Sequence, residues 1–428
     1  MAKLLKFPGG LTVCYERKKS SDSCAFGIYV GAGSRDEKAD ENGVAHFIEH
    51  MLFKGTERRT AFDIANETDK LGANCNAYTS KSNTVFYVSG LAKFISKYMD
   101  ILSDMFFHST FTDENIERER GVVLEEIKMY DDDGDSVCAD LLSSKFFVNN
   151  TLSRPILGTA ESVKSLNADK IRSFMARNYV PQNVALSYCG PLAEEELRLL
   201  VEKYFNSEFL SRSYSYEKKA VRKAKTASFF AKRCDKPFEQ ASVLVRFPSY
   251  PIADKRADSA PMLAFILGGG MSSRLFQKVR EELGLVYEIY CQATSVKGAG
   301  YLDIGLATAP ELTEKAIGAV REVLETVRKD GLGKEEFDKV KIQRETGAVL
   351  SGETTFDVMR IMGKYYLLTG KAVNCRSLIK QTEKLSLADV QQAFDDVIDY
   401  DKAAVCYVGK EINVDLKAVL KGETSLNG

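Results

Sequence analysis

Gly43-Val-Ala-His46-Phe-Ile-Glu49-His50-Met-Leu-Phe-Lys-Gly55 holds two of the three histidines in a chain of 428 residues. They stand four positions apart with a carboxylate between them. On an α-helix, positions i and i+4 share a face and i+3 lies beside them. Both imidazoles then close on one metal ion while Glu49 points at a water in its coordination sphere. The flanking residues are apolar, so the segment reads as a buried helix ended by Gly55. A lone histidine in such a helix is ordinarily a hydrogen-bonded core residue. Two at this spacing, around a buried glutamate, would each be costly to bury unpartnered, and they point to a catalytic zinc site.

A catalytic zinc takes three protein ligands and keeps one position open. His108, in Met-Phe-Phe-His-Ser-Thr, has no second ligand near it in sequence. The carboxylate source is Glu117-Arg-Glu-Arg-Gly-Val-Val-Leu-Glu-Glu-Ile-Lys-Met129, whose apolar residues recur with helical spacing. Glu119 and Glu126 lie two turns apart on one face, so one would bind the metal and the other orient a ligand from behind. Position alone leaves Glu119, Glu125 and Glu126 open, and most Glu/Arg-rich helices are only solvated faces. The second half of the chain has no histidine. One zinc per chain is the expectation.

The length suits two domains. Lys plus Arg (59) nearly balances Asp plus Glu (60), which argues against nucleic acid as a partner. Nine scattered cysteines without a C-x-x-C pair read as reduced thiols. No apolar run is long enough to cross a membrane, and the first ten residues lack the core of a signal peptide, so a cytoplasmic protein is expected.

The halves resemble each other. Leu71-Gly opens strands at 74–78 and 84–89 and a helix carrying Ile95, Met99, Leu102 and Met105. Leu283-Gly opens strands at 286–292 and 300–304 and a helix carrying Ile317, Val320, Leu324 and Val327. An internal duplication explains this pattern. Strand connections too short for a helical crossover predict antiparallel pairing. The expected fold is α+β: two tandem homologous domains, 1–205 and 229–428, each a mostly antiparallel sheet with helices on one face. Residues 206–228 form a polar, basic linker. The polar strand Asn74-Cys75-Asn76-Ala77-Tyr78 suits a sheet edge that pairs an extended peptide, and Gly268-Gly-Gly-Met-Ser-Ser273 suits a loop touching substrate.

His46-x-x-Glu49-His50, with Glu126 seventy-six positions beyond His50, resembles the M16 metallopeptidases. These inverzincins include the mitochondrial processing peptidases, insulin-degrading enzyme and short bacterial relatives. Gly31-Ala-Gly-Ser-Arg-Asp-Glu37, Leu71-Gly-Ala-Asn-Cys-Asn-Ala-Tyr-Thr79, Arg154-Pro-Ile-Leu-Gly-Thr159, Asn178-Tyr-Val-Pro-Gln-Asn183 and Leu275-Phe-Gln-Lys-Val-Arg-Glu-Glu-Leu-Gly-Leu-Val-Tyr287 extend the likeness over nearly the whole chain. The resemblance implies His46, His50 and Glu126 as zinc ligands, Glu49 as the base and Glu119 as the carboxylate behind a ligand. It implies that Arg280 and Tyr287 act on bound substrate, and that the Asn74–Tyr78 strand pairs it. Lys81-Ser82-Asn83 departs from the pattern, since relatives often carry an acidic residue there. A zinc endopeptidase cutting short or unfolded polypeptides inside a closed chamber is expected. The alternatives are a non-catalytic core-type subunit and a metal-dependent peptide-binding protein. Family members close two such halves around the chamber, which implies a homodimer for this chain.

Overall fold

The run Ala25-Phe-Gly-Ile-Tyr-Val30 contains no charged residue and does not alternate with polar ones, a pattern that suits a strand covered on both faces. In the computed structural model, which describes residues 2–205, 207–211, 216, 221 and 223–423, this run belongs to strand β3 (Ser23–Val30), buried from Cys24 onward. With β1 (Lys3–Lys6), β2 (Thr12–Arg17), β4 (Asn74–Thr79), β5 (Thr84–Leu91) and a later strand at Val184–Gly190, it forms a six-stranded sheet. After the two-residue β6 (Phe147–Val148), that later strand is β7. The order is β1-β2-β7-β3-β5-β4, antiparallel throughout except for β2 with β7.

Alternation along β3 sorts its side chains between two cores. Phe26, Ile28 and Val30 face helices α1 (Val44–Met51), α2 (Ala61–Lys70), α3 (Ile95–His108) and α4 (Asp113–Asp131), meeting Phe47, Ile48, Met99 and Leu102. Ala25 and Tyr29 face the other way, onto Val358, Met359 and Met362 of the helix Thr355–Thr369. Helices therefore cover both faces of the sheet. The single helical layer expected from sequence is present, and a second is added by a helix from far along the chain.

The second sheet repeats the plan. The short β8 (Lys225–Thr226) pairs with β6. Strands β9 (Phe230–Asp235), β10 (Ala241–Pro248), β11 (Glu288–Val296), β12 (Ala299–Thr308) and β13 (Ala404–Gly409) run in the order β11-β12-β10-β13-β9. That matches β4-β5-β3-β7-β2 strand for strand, down to the one parallel pair, β13 with β9. One face packs on the helices Ser259–Gly268, Thr313–Asp330 and Leu387–Val397 through Leu263, Val320 and Phe394. The other packs on α5 (Gly134–Phe146), where Cys138, Leu142 and Phe146 meet Leu244, Cys406 and Val408.

Two compact units result. The first comprises Met1–Ile127, Arg154–Ala220 and Gly347–Ile379, and the second Lys128–Ser153, Val221–Thr346 and Lys380–Gly428. Each thus takes its second covering helix from the opposite half of the sequence, an exchange that a contiguous division into 1–205 and 229–428 does not describe. Periodicity shows that a helix has an apolar face, not which sheet it covers. Of the expected linker, residues 206, 212–215, 217–220 and 222 lie outside the described residues. Among the described residues no helix is long and apolar enough to cross a membrane.

Candidate metal centre

Helix α1 is driven into the first core by Val44, Ala45, Phe47, Ile48 and Met51, which leaves His46, Glu49 and His50 on its remaining face. Its start is fixed by a residue outside it. Gly43, with φ at 93°, has no side chain to cap the helix, and the buried carboxylate of Glu37 does so instead. Glu37 Oε2 accepts from Asn42 Nδ2 at 2.7 Å and from the Gly43 amide at 2.9 Å, and Oε1 accepts from the Ala45 amide at 2.9 Å. Burial pushes the Glu37 carboxyl up to about 7, with these donors pulling the other way. Arg154 donates to the Glu37 carbonyl at 2.6 Å, and Asn42 Nδ2 also reaches the Pro155 carbonyl. A Cβ on Gly43 would lie 2.5 Å from the Leu157 carbonyl oxygen, so only glycine lets these two segments meet. The Gly31–Glu37 and Arg154–Thr159 motifs therefore hold the helix that carries the histidines.

Helix α4 brings the carboxylates. Ile116, Glu119 and Val123 form its buried stripe, and Glu126 continues the same face, while Glu125 is exposed. Glu126 Oε1 lies 3.7 Å from His46 Nε2, and its Oε2 lies 3.4 Å from His50 Nε2. One ligand atom each from His46, His50 and Glu126 fall within 4.8 Å of one another, the one such group of His, Cys, Asp and Glu among the described residues. Tetrahedral ligand atoms ~2.0–2.1 Å from a zinc ion stand roughly 3.3–3.4 Å apart, so two imidazoles and a carboxylate fit that metal in chemistry and spacing. Glu119, 2% exposed, accepts the other ring nitrogen of His50, Nδ1, at 2.7 Å, and Lys54 Nζ holds its second oxygen at 2.7 Å. His50 is therefore fixed through Nδ1, which leaves Nε2 toward Glu126. His46 is positioned by packing, for its buried Nδ1 finds no hydrogen-bond partner among the described residues.

The electrostatics differ between the two rings. Burial, then the neighbouring His50, push His46 down to about 4, against the pull of Glu126. Burial would lower His50 too, but hydrogen bonds to Glu119 and Glu126 outweigh it and raise the ring to about 9. The His50 hydrogen bond is the main influence holding Glu126 below the usual carboxylate range. Two carboxylates converging on partly buried imidazoles make a site that attracts a cation.

Glu49 is held from a neighbouring strand. Its Oε2 accepts from Thr79 Oγ1 at 2.6 Å, and burial raises its carboxyl above the ordinary value despite that bond. Thr79 ends β4, and β4 is the outer strand of its sheet, paired among the described residues only with β5 (Asn76 opposite Tyr87, Tyr78 opposite Val85). The structure thus sets the Asn74–Tyr78 strand at an edge next to the carboxylate. The hairpin that follows, with Lys81, Ser82 and Asn83, is pinned to the Gly31 motif: the Ser34 and Arg35 amides donate to the Ser80 and Lys81 carbonyls, and Lys81 Nζ to the Arg154 carbonyl. His108 is exposed, 3.8 Å from Glu57, and outside the group. Arg280 and Tyr287 belong to the second unit. There the Arg280 guanidinium lies 5.9 Å from the Tyr287 ring centre, and both line a surface cavity of about 380 Å³ with Gly268, Gly269, Gly270 and Met271. Lys54, Thr79 and Glu37 escaped sequence reasoning. Each lies inside a motif read for its neighbours, and none has a spacing that announces its partner.

The model of the insulinase family, peptidase family M16, matches residues 12–160, and that of the peptidase M16 inactive domain matches residues 165–344. The uncharacterized zinc protease YmxG of Bacillus subtilis (strain 168) is 36% identical over 91% of this chain and 94% of its own. The chain belongs to peptidase family M16. A second relative, the uncharacterized zinc protease SCO5738 of Streptomyces coelicolor, is 32% identical over 91% of this chain and 86% of its own. The fold is that of a crystallised protease from Helicobacter pylori, with a TM-score of 0.88 at 18% identity over 95% of this chain and 99% of the other. The candidate metal centre lies wholly within the insulinase-type segment, and the inactive-type segment contributes no histidine.

Proposed function

We propose that this M16 peptidase is a zinc-dependent endopeptidase acting on short or unfolded polypeptides. The observation that carries the reading is the juxtaposition of His46, His50 and Glu126 with a base, Glu49, hydrogen-bonded to the end of an edge strand. His46, His50 and Glu126 hold the metal, one ion per chain, and Glu119 with Lys54 keeps the His50 ring turned toward it. When bound, zinc polarises the peptide carbonyl and brings the pKa of a water toward ~7. Glu49 takes the proton of the attacking water and passes it to the leaving amine. Thr79 holds one Glu49 oxygen, leaving the other for that proton. An extended substrate pairs with the free edge at Asn74, Cys75, Asn76, Ala77 and Tyr78, an interaction that reads backbone and so accepts many sequences. Arg280 and Tyr287 supply a cation and an O–H donor to the substrate oxyanion.

Quenched unfolded peptides test the reading. Cleavage should stop with a chelator and return with zinc. Glu49→Gln should still bind peptide and metal while turnover falls by roughly 10²–10⁴. Wild-type turnover in Glu49→Gln contradicts the role of the base, and cleavage indifferent to chelator contradicts the metal.

The reading extends to assembly as a homodimer in which two copies enclose the substrate chamber. Arg280 and Tyr287 of one copy would then serve the metal centre of the other. Mixing inactive Glu49→Gln with inactive Arg280→Ala should restore part of the activity, since some mixed dimers regain one intact site. No recovery after verified subunit exchange contradicts this arrangement.

A further inference from the structure

The helix that carries Arg280 is wound unusually. Over Phe276–Glu282 it widens to the π form, and the Leu283 amide reaches back five residues to the Lys278 carbonyl at 3.2 Å. Such turns are rare in helices and gather at functional sites. Leu275 and Val279 bury one side of the segment in the second unit's core. Phe276 packs against the same core with part of its ring uncovered.

The basic side chains around this segment are held in two ways. Arg274 donates to Glu336 at 2.9 Å, and Lys278 pairs with Glu282 one turn on, so carboxylates neutralise both. Among the described residues, no carboxylate or carbonyl is hydrogen-bonded to the Arg280 side chain, although the exposed Glu288 lines the same cavity. Its guanidinium lies instead 4.7 Å from the Phe276 ring centre, against 5.9 Å from that of Tyr287. Phe276 stands one turn earlier, where a helical side chain leans back. Aromatic faces attract a guanidinium without cancelling its charge, and they leave its N–H groups to other acceptors.

We propose that Phe276 is a positioning residue for Arg280: its core-anchored ring fixes the guanidinium, charged and without a counter-ion, for the oxyanion of the substrate. The proposal rests on the reading of Arg280 as the cation for that oxyanion. Preorganisation accounts for the arrangement, because a cation that need not reorient or leave a carboxylate stabilises developing charge most. Tyr287, 69% exposed and farther off, is the weaker hold.

The test is a double-mutant cycle on the zinc-loaded chain, read with quenched unfolded peptides. Arg280→Ala should lose most turnover, and its residue of activity is read at high enzyme concentration. Phe276→Leu keeps apolar volume but removes the ring. It should lower kcat roughly 3- to 30-fold with little change in KM, since the interaction counts only as charge develops. Phe276→Tyr restores the ring and should stay within about twofold of wild type. In the Arg280→Ala background, Phe276→Leu should cost less than about twofold, whereas a merely structural phenylalanine costs the same in both backgrounds. A second readout needs no turnover. With isotope-labelled arginine, the Arg280 Nε proton is identified by its absence in Arg280→Lys. Lying over a ring, it should resonate upfield, and it should move downfield in Phe276→Leu but not in Phe276→Tyr. An unmoved signal, equal costs in both backgrounds, or wild-type kcat in Phe276→Leu overturns the proposal and leaves the endopeptidase standing. Should Phe276→Leu fail to fold, Phe276→Met takes its place under the same expectations. Wild-type turnover in Arg280→Ala removes the role of Arg280 and the proposal with it. A wild type that cuts none of the peptides removes both the endopeptidase and the proposal.

Discussion

At the scale of single residues, the work is divided among groups that touch the metal ligands and groups that hold those groups still. Glu119 belongs to the second kind. Its carboxylate is shared between His50 Nδ1 and Lys54 Nζ, both at 2.7 Å, so it sets the ring's orientation and raises its basicity without standing in the ligand group itself. Such supports are worth about 10–100-fold in metal affinity. Glu119→Gln keeps an acceptor for the ring but loses the charge, and zinc affinity measured by chelator competition should fall by about that factor. Glu126→Gln should cost more, since that residue supplies a ligand atom. Equal affinities in wild type and Glu119→Gln would show that Lys54 and Glu119 serve only packing. The spacing of His46, Glu49 and His50 was legible because helical geometry leaves one arrangement for them. Spacing offered Glu119, Glu125 and Glu126 equally, and the resemblance chose. The structure puts Glu125 on the exposed side of α4, which no periodicity in so charged a helix could reveal.

At the scale of elements, the metal helix depends on a cap that it does not contain. Glu37 satisfies two amide groups at the start of α1, and its own carbonyl is tied to Arg154. Glu37→Ala leaves those buried donors unpaired and should cost on the order of 3 kcal/mol in urea unfolding, with zinc affinity falling alongside. A loss below about 0.5 kcal/mol would contradict the capping role. The pH dependence has a definite sign. With its folded value up at about 7, above the ordinary carboxylate value of 4.5, this group favours the fold fully below about 4.5. That contribution is lost as pH rises through 7, and Glu37→Ala should remove this slope. The strands and the duplication were readable from alternation and from the paired Leu-Gly turns. The exchange of α5 and the helix Thr355–Thr369 was not, although the uniformly apolar β3 already required cover on both faces. A strand states that it is covered, and does not name the helix.

At the scale of the whole molecule, the second sheet repeats five of the first sheet's six strands in order and direction, and among the described residues the candidate metal group stands in the first unit alone. The edges follow the same logic: β4 and β11 are matching outer strands, and β4 alone has a metal-type helix beside it. Composition spoke to this scale least, because a nearly neutral chain with scattered thiols fits many folds. Length and the internal repeat carried the two-domain architecture, and the structure supplied which helix covers which sheet. All of this chemistry turns on one ligand set, in the first unit, binding metal. Elemental analysis of the purified chain is the most direct test. About one zinc per chain is expected in the wild type, and none in His50→Ala at unchanged helical content. Full zinc occupancy in folded His50→Ala, or a wild type that takes up no zinc when it is supplied, would contradict the account.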